Sequence, residues 1–493
     1  MTPPARTQLA NEDLLPVAPE RRTWNWWHIA SLWIGMAICI PTYTLASGLV
    51  DQGWTWQAAV GAVILGNVVV LLPIALNSHA GTRYGIPFPV LARSSFGVLG
   101  ANIPAVLRGL VACGWFGIQT WIGGWAIYKL IEAIWPGIAT LPQILPAFVG
   151  LNTGEFLCFM VFWGMNVWIV LRGMDSIKFL ETWGSPFLLA VGAALFIWAW
   201  ARAGSLGAML QNPPSSPSAQ QPVGNVFAAG LTSAVAFWGT MALSIPDFSR
   251  YARSQRDQVI GQAVGLPATM AVFAFIGAAV TNATFVIFGT RIADPVALLA
   301  RIGGPLMIML SMAGLIVATL TTNIAANIVA PANAFSNIAP QKITFKQGAM
   351  ITATIGILMM PWRLYNDAAA YIFTWLIGYG ALLGPVAGIM IADYFVLRRG
   401  ELNVTDLYRR HGIYEYTRGV NWIAVLALVS GVLPSLPGFV AALGGHQASG
   451  PFATLYNWAW FVGFLIAAAV YLAGMRARRT AMREVDVGVS AGD

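Results

Sequence analysis

Charge is what this sequence has least of. Only 9% of its 493 residues are Asp, Glu, Lys or Arg, against about a quarter in soluble domains. With 57% hydrophobic residues the chain has too little polar surface to face water on every side, which excludes an ordinary soluble fold. Cysteine and histidine are scarce too. Cys39, Cys113 and Cys158 fall in separate apolar stretches, too dispersed for a metal motif and unlike the disulfide framework of a secreted protein; they read as small packing residues. His28, His79, His411 and His446 do not cluster, and no HExxH-type array occurs. With neither a ligand cluster nor a nucleophile cluster, the expectation is a protein that is not an enzyme and carries no cofactor. A basic and aromatic module for nucleic acid is also missing, so the net charge of +8 reflects topology and attraction to anionic lipid.

Apolar runs are what the chain has in excess. Stretches long enough to cross a hydrocarbon layer of about 30 Å, each needing about 20 residues, recur from residue 27 to residue 475. They predict an all-α polytopic membrane protein of about twelve transmembrane helices. The first six expected spans are 27–50, 55–77, 102–133, 154–172, 177–203 and 226–247. The second six are 259–289, 303–331, 346–362, 369–396, 419–441 and 453–475. Residues 1–23 contain NEDLLPVAPERR and no apolar core, and read as a cytosolic tail, not a cleaved signal peptide. With that tail inside, Arg108, Lys129, Arg202, Arg291, Arg301 and Arg363 lie elsewhere, and the other 21 of 27 basic residues, from Arg6 to Arg483, fall on the cytoplasmic side. This is the positive-inside pattern, and an error of one helix would scramble it. The expected location is the cell membrane, with both termini cytoplasmic and the lipid bilayer as a partner.

Loops are short except for SLGAMLQNPPSSPSAQQPVGN, residues 205–225, whose Pro, Ser and Gln content marks an extracellular connection between the fifth and sixth helices. It divides the first ten helices into two sets of five. An odd number per set makes the halves point in opposite directions, as in the inverted repeats of many secondary transporters. The segmentation is then a tail (1–23), a first five-helix repeat (24–203), a loop (204–225), a second repeat (226–400), a cytosolic loop (401–418), two peripheral helices (419–475) and a tail (476–493). A trace of the repeat survives in MAICIP, residues 36–41, and MALSIP, residues 241–246. Each contains a Pro whose missing N–H frees a carbonyl, near Gly35 and Gly239 respectively. Interrupted helices at matching places in two halves point to a midplane binding site, although Pro and Gly are common in membrane helices for other reasons.

Residues 113–125, CGWFGIQTWIGGW, raise the question of chemistry. Trp115 and Gln119 are four apart and share a helix face, with Gly114 and Gly117 leaving the neighbouring surface low. A flat indole beside an amide suits a planar heterocycle with ring N–H and C=O edges. The alternative is that the glycines serve tight helix packing and Gln119 bonds to a neighbouring helix. Trp121 and Trp125 read as packing or interfacial aromatics. Trp238 lies at the suspected second break, where its indole could close on the other face of a ring held by Trp115; an aromatic pair contributes about 0.5–1.5 kcal/mol beyond area burial. Asp247 and Arg250, nearer the cytosolic end, suggest a local ion pair or a helix-end role. In the eighth span Thr321, Thr322, Asn323 and Asn327 form the most polar patch of any span. Hydroxyls and free carbonyls are hard ligands suited to a small alkali cation, whereas back-bonding of Thr to the preceding turn is the plainer reading. No Lys or Arg falls at the middle of a span, so a neutral substrate is the simpler fit.

The stretches NEDLLPVAPERRTWNWW, GIPFPVLARSSFGVLGANIPAVLRGLVACGWFGIQTWIGG and GPVAGIMIADYFVLRRGELNVTDLYRRHGIYEYTRGVNW resemble the nucleobase:cation symporter-1 family, from about residue 11 to residue 475. The resemblance implies a five-plus-five inverted-repeat core of the leucine-transporter type, with discontinuous helices 1 and 6 and two peripheral helices. It implies a cation symporter, working by alternating access, that imports a planar heterocycle such as uracil, cytosine, a purine, allantoin or a hydantoin. Trp115 and Trp238 then match the family's stacking tryptophans, Gln119 its amide hydrogen-bonder and Asn327 the residue at the ring edge. For the coupling cation, Na+ or H+, it implies the carbonyls of Gly35, Ile38 and Ala318 with the hydroxyls of Thr321 and Thr322. Two positions depart from the hydantoin-transporting branch: Cys39 stands in place of a glutamine and Phe237 in place of a glycine. Both change the pocket, so the same substrate is not implied. A passive facilitator or channel for the same solutes is the alternative. A monomer is expected to suffice.

Overall fold

The computed structural model describes residues 9–10, 14–172, 174–211, 223–302, 304–339, 341–365, 370–446 and 449–490. Arg6, parts of both expected tails and half of the expected 204–225 loop lie outside the described residues, as do the side chains of Lys178, Arg479 and Arg483. Helices account for nearly all of the ordered backbone. The first half runs α1 (Trp26–Ala37), α2 (Ile40–Asp51), α3 (Trp56–Tyr84), α4 (Phe88–Phe96), α5 (Asn102–Ile134), α6 (Thr153–Arg172), α7 (Met174–Ala203) and a single turn, α8 (Leu206–Met209). The second half begins with α9 (Val223–Phe237), α10 (Gly239–Ser244) and α11 (Pro246–Ser249), then α12 (Gln255–Phe288), α13 (Pro295–Ile302), α14 (Pro305–Asn327), α15 (Val329–Ile338), α16 (Phe345–Leu358), α17 (Pro361–Leu364) and α18 (Ile377–Ile391). Two π-helical turns, Ala370–Leu376 and Ala392–Leu397, extend α18 at its ends. The chain closes with α19 (Trp422–Val432), α20 (Leu436–Leu443), α21 (Gly450–Asn457) and α22 (Ala459–Ser490).

Several starts follow from local chemistry. Asn25 accepts from the amides of Trp27 and His28 at the head of α1, and Thr55, Ser254 and Thr344 cap α3, α12 and α16 in the same way, each satisfying N–H groups that a helix leaves orphaned. Among the described residues, seven helices are long and apolar enough to cross a membrane, and α1 with α2 makes an eighth as a pair bent by 56°. The remaining expected spans correspond to shorter apolar pieces such as Phe227–Phe237 and Ile308–Ile324.

The bend lies at Ile38 and Cys39, where the backbone becomes extended (Cys39 φ −148°, ψ 161°). Pro41 sits in the first turn of α2, a position that needs no N–H, so proline begins the second piece rather than breaking the first. Both pieces dock on α12. A Cβ on Gly261 or Gly265 would stand 2.5 or 2.8 Å from the carbonyl oxygens of Trp26 and Ala30, and one on Gly277 would stand 2.5 Å from that of Tyr43. Only glycine permits that closeness. In the second half the interruption falls at Trp238 (φ −98°, ψ 11°), and Pro246 opens α11.

Packing divides the core into two groups. α1, α2, α3, α9 and α12 pack together, and α5 gathers α6, α14, α15 and α16 around it. α18 reaches both groups and carries α19 and α22 on its far side. The expected tail and the expected 401–418 loop are one unit on the face where the basic residues gather. Tyr408 donates to the Leu14 carbonyl at 2.6 Å, and buried Arg93 donates to the carbonyls of Leu407 (3.0 Å) and Leu9 (2.8 Å) and to Asn337 (3.0 Å).

Candidate functional site

Trp115 projects from α5 towards α9 and α18, at the boundary between the two groups. It is 6% exposed and stands edge-on to four rings: Phe237 at 5.2 Å, Trp375 at 5.9 Å, and Tyr371 and Tyr379 at 6.2 Å. Tyr371, Trp375 and Tyr379 are spaced four apart, a helical aromatic stripe whose spacing was visible in AYIFTWLIGYG and which sequence reasoning missed. Phe237 touches both expected stacking residues, with Trp238 at 5.0 Å on its other side. Trp238 in turn meets Trp33 edge-on at 5.0 Å. In the register that pairs Met36 with Met241, these two indoles occupy equivalent places in the two halves.

The glycines of this stretch do not floor a pocket. A Cβ on Gly114 would run into the Trp375 ring, and one on Gly117 would lie 2.6 Å from the Gly356 carbonyl, so both serve close helix packing. Gln119 is different. It is 5% exposed and lies one helical turn from Trp115. The indole N–H groups of Trp33, Trp238 and Trp375 are buried and unpartnered among the described residues. Leaving a buried donor or acceptor unmet costs about 1–3 kcal/mol, so three such groups around one aromatic cluster call for a polar guest.

The asparagines of α14 connect the site to α5. Asn327 donates to Asn323 Oδ1 at 3.0 Å. Asn323 donates to the Phe116 carbonyl, Thr120 and Asn166, all within 3.1–3.2 Å. Cys39, 4% exposed, lies at the bend with its Sγ 3.3 Å from Thr42 Oγ1. Of the expected cation ligands, Thr322 Oγ1 donates to the Ala318 carbonyl at 3.1 Å, the back-bonding alternative, which also sets two hard oxygens side by side. Ile38 ends α1 at the bend, Gly35 lies in α1, and α1 touches α14. The side chain of Thr321 lies outside the described residues.

On either side of this cluster are closures that sequence reasoning did not find. Towards the basic face, fully buried Arg108 donates to Ser244 Oγ at 2.7 Å, joining α5 to α10. Asp247 has a helix-end role in the first turn of α11, and its carboxylate accepts from the Phe88 amide at 2.8 Å. Towards the opposite face, Tyr365 and Thr44 share a 2.5 Å hydrogen bond and Tyr371 donates to the Pro41 carbonyl at 3.2 Å.

A broken helix pair beside a buried, uncharged, aromatic cluster, inside an all-helical fold with helices long and apolar enough to cross a membrane, is the architecture of a multi-pass transporter. The comparisons narrow this. The family described as "Permease for cytosine/purines, uracil, thiamine, allantoin" matches residues 16–463. The purine-uracil permease NCS1 of Arabidopsis thaliana is 47% identical over 94% of this chain and 77% of its own length. The allantoin permease of Bacillus subtilis is 41% identical over 95% of this chain and 94% of its own. Mhp1, a nucleobase-cation-symport-1 family transporter, has the same fold at 26% identity: its inward-facing structure gives a TM-score of 0.77 over 97% of this chain and 96% of that one, and its closed structure with bromovinylhydantoin gives 0.75 over 95% of each. The chain belongs to the cytosine/purine, uracil, thiamine and allantoin permease family.

Proposed function

We propose that the chain is a cation-coupled importer of one planar, uncharged nucleobase or ureide, working by alternating access around the Trp115 cluster. Its relatives carry the names of purine, uracil and allantoin permeases, which supports the substrate class. The observation that carries the site is the buried amide of Gln119 one helical turn from Trp115, beside the unpartnered indole N–H groups of Trp238 and Trp375. A ring lying on Trp115 would offer Gln119 both a donor and an acceptor, and Asn327 would meet another edge. Trp238 closes the site from α9 through Phe237, whose ring must swing or serve as a wall. Cys39 limits the pocket at the bend. The cation, Na+ by preference over H+, would tie the bend at Gly35 and Ile38 to Ala318, Thr321 and Thr322 on α14. A ligand that favours the state in which these groups converge shifts the population towards it, which is coupling. The basic face is the cytoplasmic one, both termini lie there, and twelve helices in the segmentation given above complete the topology.

The test is equilibrium binding and proteoliposome uptake with uracil, cytosine, adenine, guanine, allantoin and hydantoins, with and without Na+. Trp115→Ala, Gln119→Ala and Asn327→Ala should each lower affinity at least tenfold with the melting temperature retained, and Thr322→Ala should abolish the Na+ dependence. Unaltered affinity in all three site variants would refute the site. Uptake that never exceeds equilibrium under an imposed ion gradient would replace the symporter with a facilitator.

A further inference from the structure

A cavity of about 660 Å³, within the 300–1,000 Å³ usual for small-molecule sites, lies not at Trp115 but above it, on the face opposite the basic one. Its floor is the roof of the Trp115 cluster: Thr44, Tyr365 and Tyr371 line the cavity from below, and Tyr371 touches Trp115 on the other side. Its wall is aromatic. Trp121 stacks on Trp125 at 5.8 Å and Trp125 on Tyr128 at 5.3 Å. Trp362 leans on Trp121 at 6.3 Å and is fixed by its N–H bond to the Val149 carbonyl at 2.8 Å. Beside the indoles, hydrogen-bonded to the Trp125 side chain, stands Asp294, half-buried, held at the head of α13 by the Val296 amide at 3.0 Å and lining the cavity. The tryptophans that read in the sequence as packing residues thus face a space that packing does not fill.

We propose that this cavity is a second binding site for the same planar heterocycle, which lies against the Trp121, Trp125 and Trp362 wall and donates a ring N–H to Asp294 before the tyrosine roof opens. The inference rests on the reading of the Trp115 site given above. Flat indole faces recognise a ring without demanding charge, and a carboxylate acceptor selects rings with an N–H edge. The outer site is the weaker of the two, because it is open on one side and buries less of the ligand.

Binding stoichiometry decides the matter, measured on the full chain in detergent with the highest-affinity labelled compound of the panel. Two sites per chain are expected, the outer one at least tenfold weaker. Trp115→Ala should remove the tight site and leave the weak one. Trp362→Leu should do the reverse and raise the KM for uptake with kcat little changed. Asp294→Asn, which keeps the helix cap, guards against a folding defect in the Trp362 variant and should give the same pattern. A single site, abolished by Trp115→Ala and untouched by Asp294→Asn, overturns the second site and leaves the central reading standing. If no panel compound binds the unaltered chain, the central reading falls and the second site falls with it.

Discussion

The two closures of the Trp115 cluster are built from different chemistry. On the basic face a buried ion pair is embedded in a network: Arg398 and Asp393 meet at 2.7 Å, with Asp393 1% exposed. Ser94 and Tyr471 donate to the same carboxylate at 2.9 and 2.8 Å, and Arg398 reaches the Ser94 carbonyl and Tyr416. Helix α4, α18, the 401–418 segment and α22 are bound together at that point. On the opposite face the roof is two phenolic hydrogen bonds, Tyr365 to Thr44 and Tyr371 to Pro41, beneath an open cavity. A satisfied buried network resists piecemeal opening because losing any member strands the others. Two neutral hydrogen bonds, each contributing about 0.5–1.5 kcal/mol net, can be exchanged for water. The roof is therefore the part that moves at low cost, and the ionic network is scaffold.

The largest effect should come from the network. Asp393→Ala leaves the Arg398 guanidinium buried without its counter-charge, a loss of about 3–5 kcal/mol by analogy with other broken buried pairs. The melting temperature in detergent should drop sharply, and a variant that melts like the unaltered chain would show that Arg398 finds another partner there.

The roof should respond in the opposite sense, with little change in melting. Tyr365→Phe removes one hydrogen bond and keeps the ring packed at 5.0 Å on Tyr371. A shift of about 0.5–1.5 kcal/mol corresponds to an opening equilibrium raised roughly twofold to tenfold. Cys39, beneath the roof, is the built-in reporter: with Cys113 and Cys158 replaced by alanine, an impermeant thiol reagent added from the cavity side should label it faster in Tyr365→Phe. Equal labelling rates would mean that the roof is not the outer closure.

This contrast was only partly legible in the sequence. The all-helical membrane fold, the family and the bend beside Pro41 were readable because composition, hydropathy and proline chemistry act locally. The bend's position, at Ile38–Cys39 and not at the proline, depends on α12 accepting both pieces through Gly261, Gly265 and Gly277. Gln119 stood out as an amide inside an apolar run, but whether a neighbouring helix satisfied it could not be told from spacing. Gly114 and Gly117 left two readings open, a low surface beside the indole or tight helix packing, because a glycine looks the same whether a ligand or the Trp375 ring fills the space. The cap on the basic face was invisible: Leu14 and Tyr408 are 394 positions apart, and no local pattern encodes such a contact.

The smallest effect belongs to the rim of that cap, and it separates the cap's exposed edge from its buried core. The Glu415 carboxylate accepts from the His411 amide and lies 3.1 Å from Arg410. These interactions hold its pKa below the ordinary 4.5, the amide hydrogen bond most strongly, then Arg410. A depressed acid contributes stability that is fully present above its unfolded pKa and is lost as the pH falls through the folded one. Because Arg410 is 41% exposed, the contribution is well under 1 kcal/mol, as for other solvent-screened pairs. The gap in melting temperature between the unaltered chain and Glu415→Gln should therefore be small at pH 7 and close as the pH is lowered below about 4.5. A gap that widened on acidification would reverse the sign and overturn the assignment of this stability to Glu415.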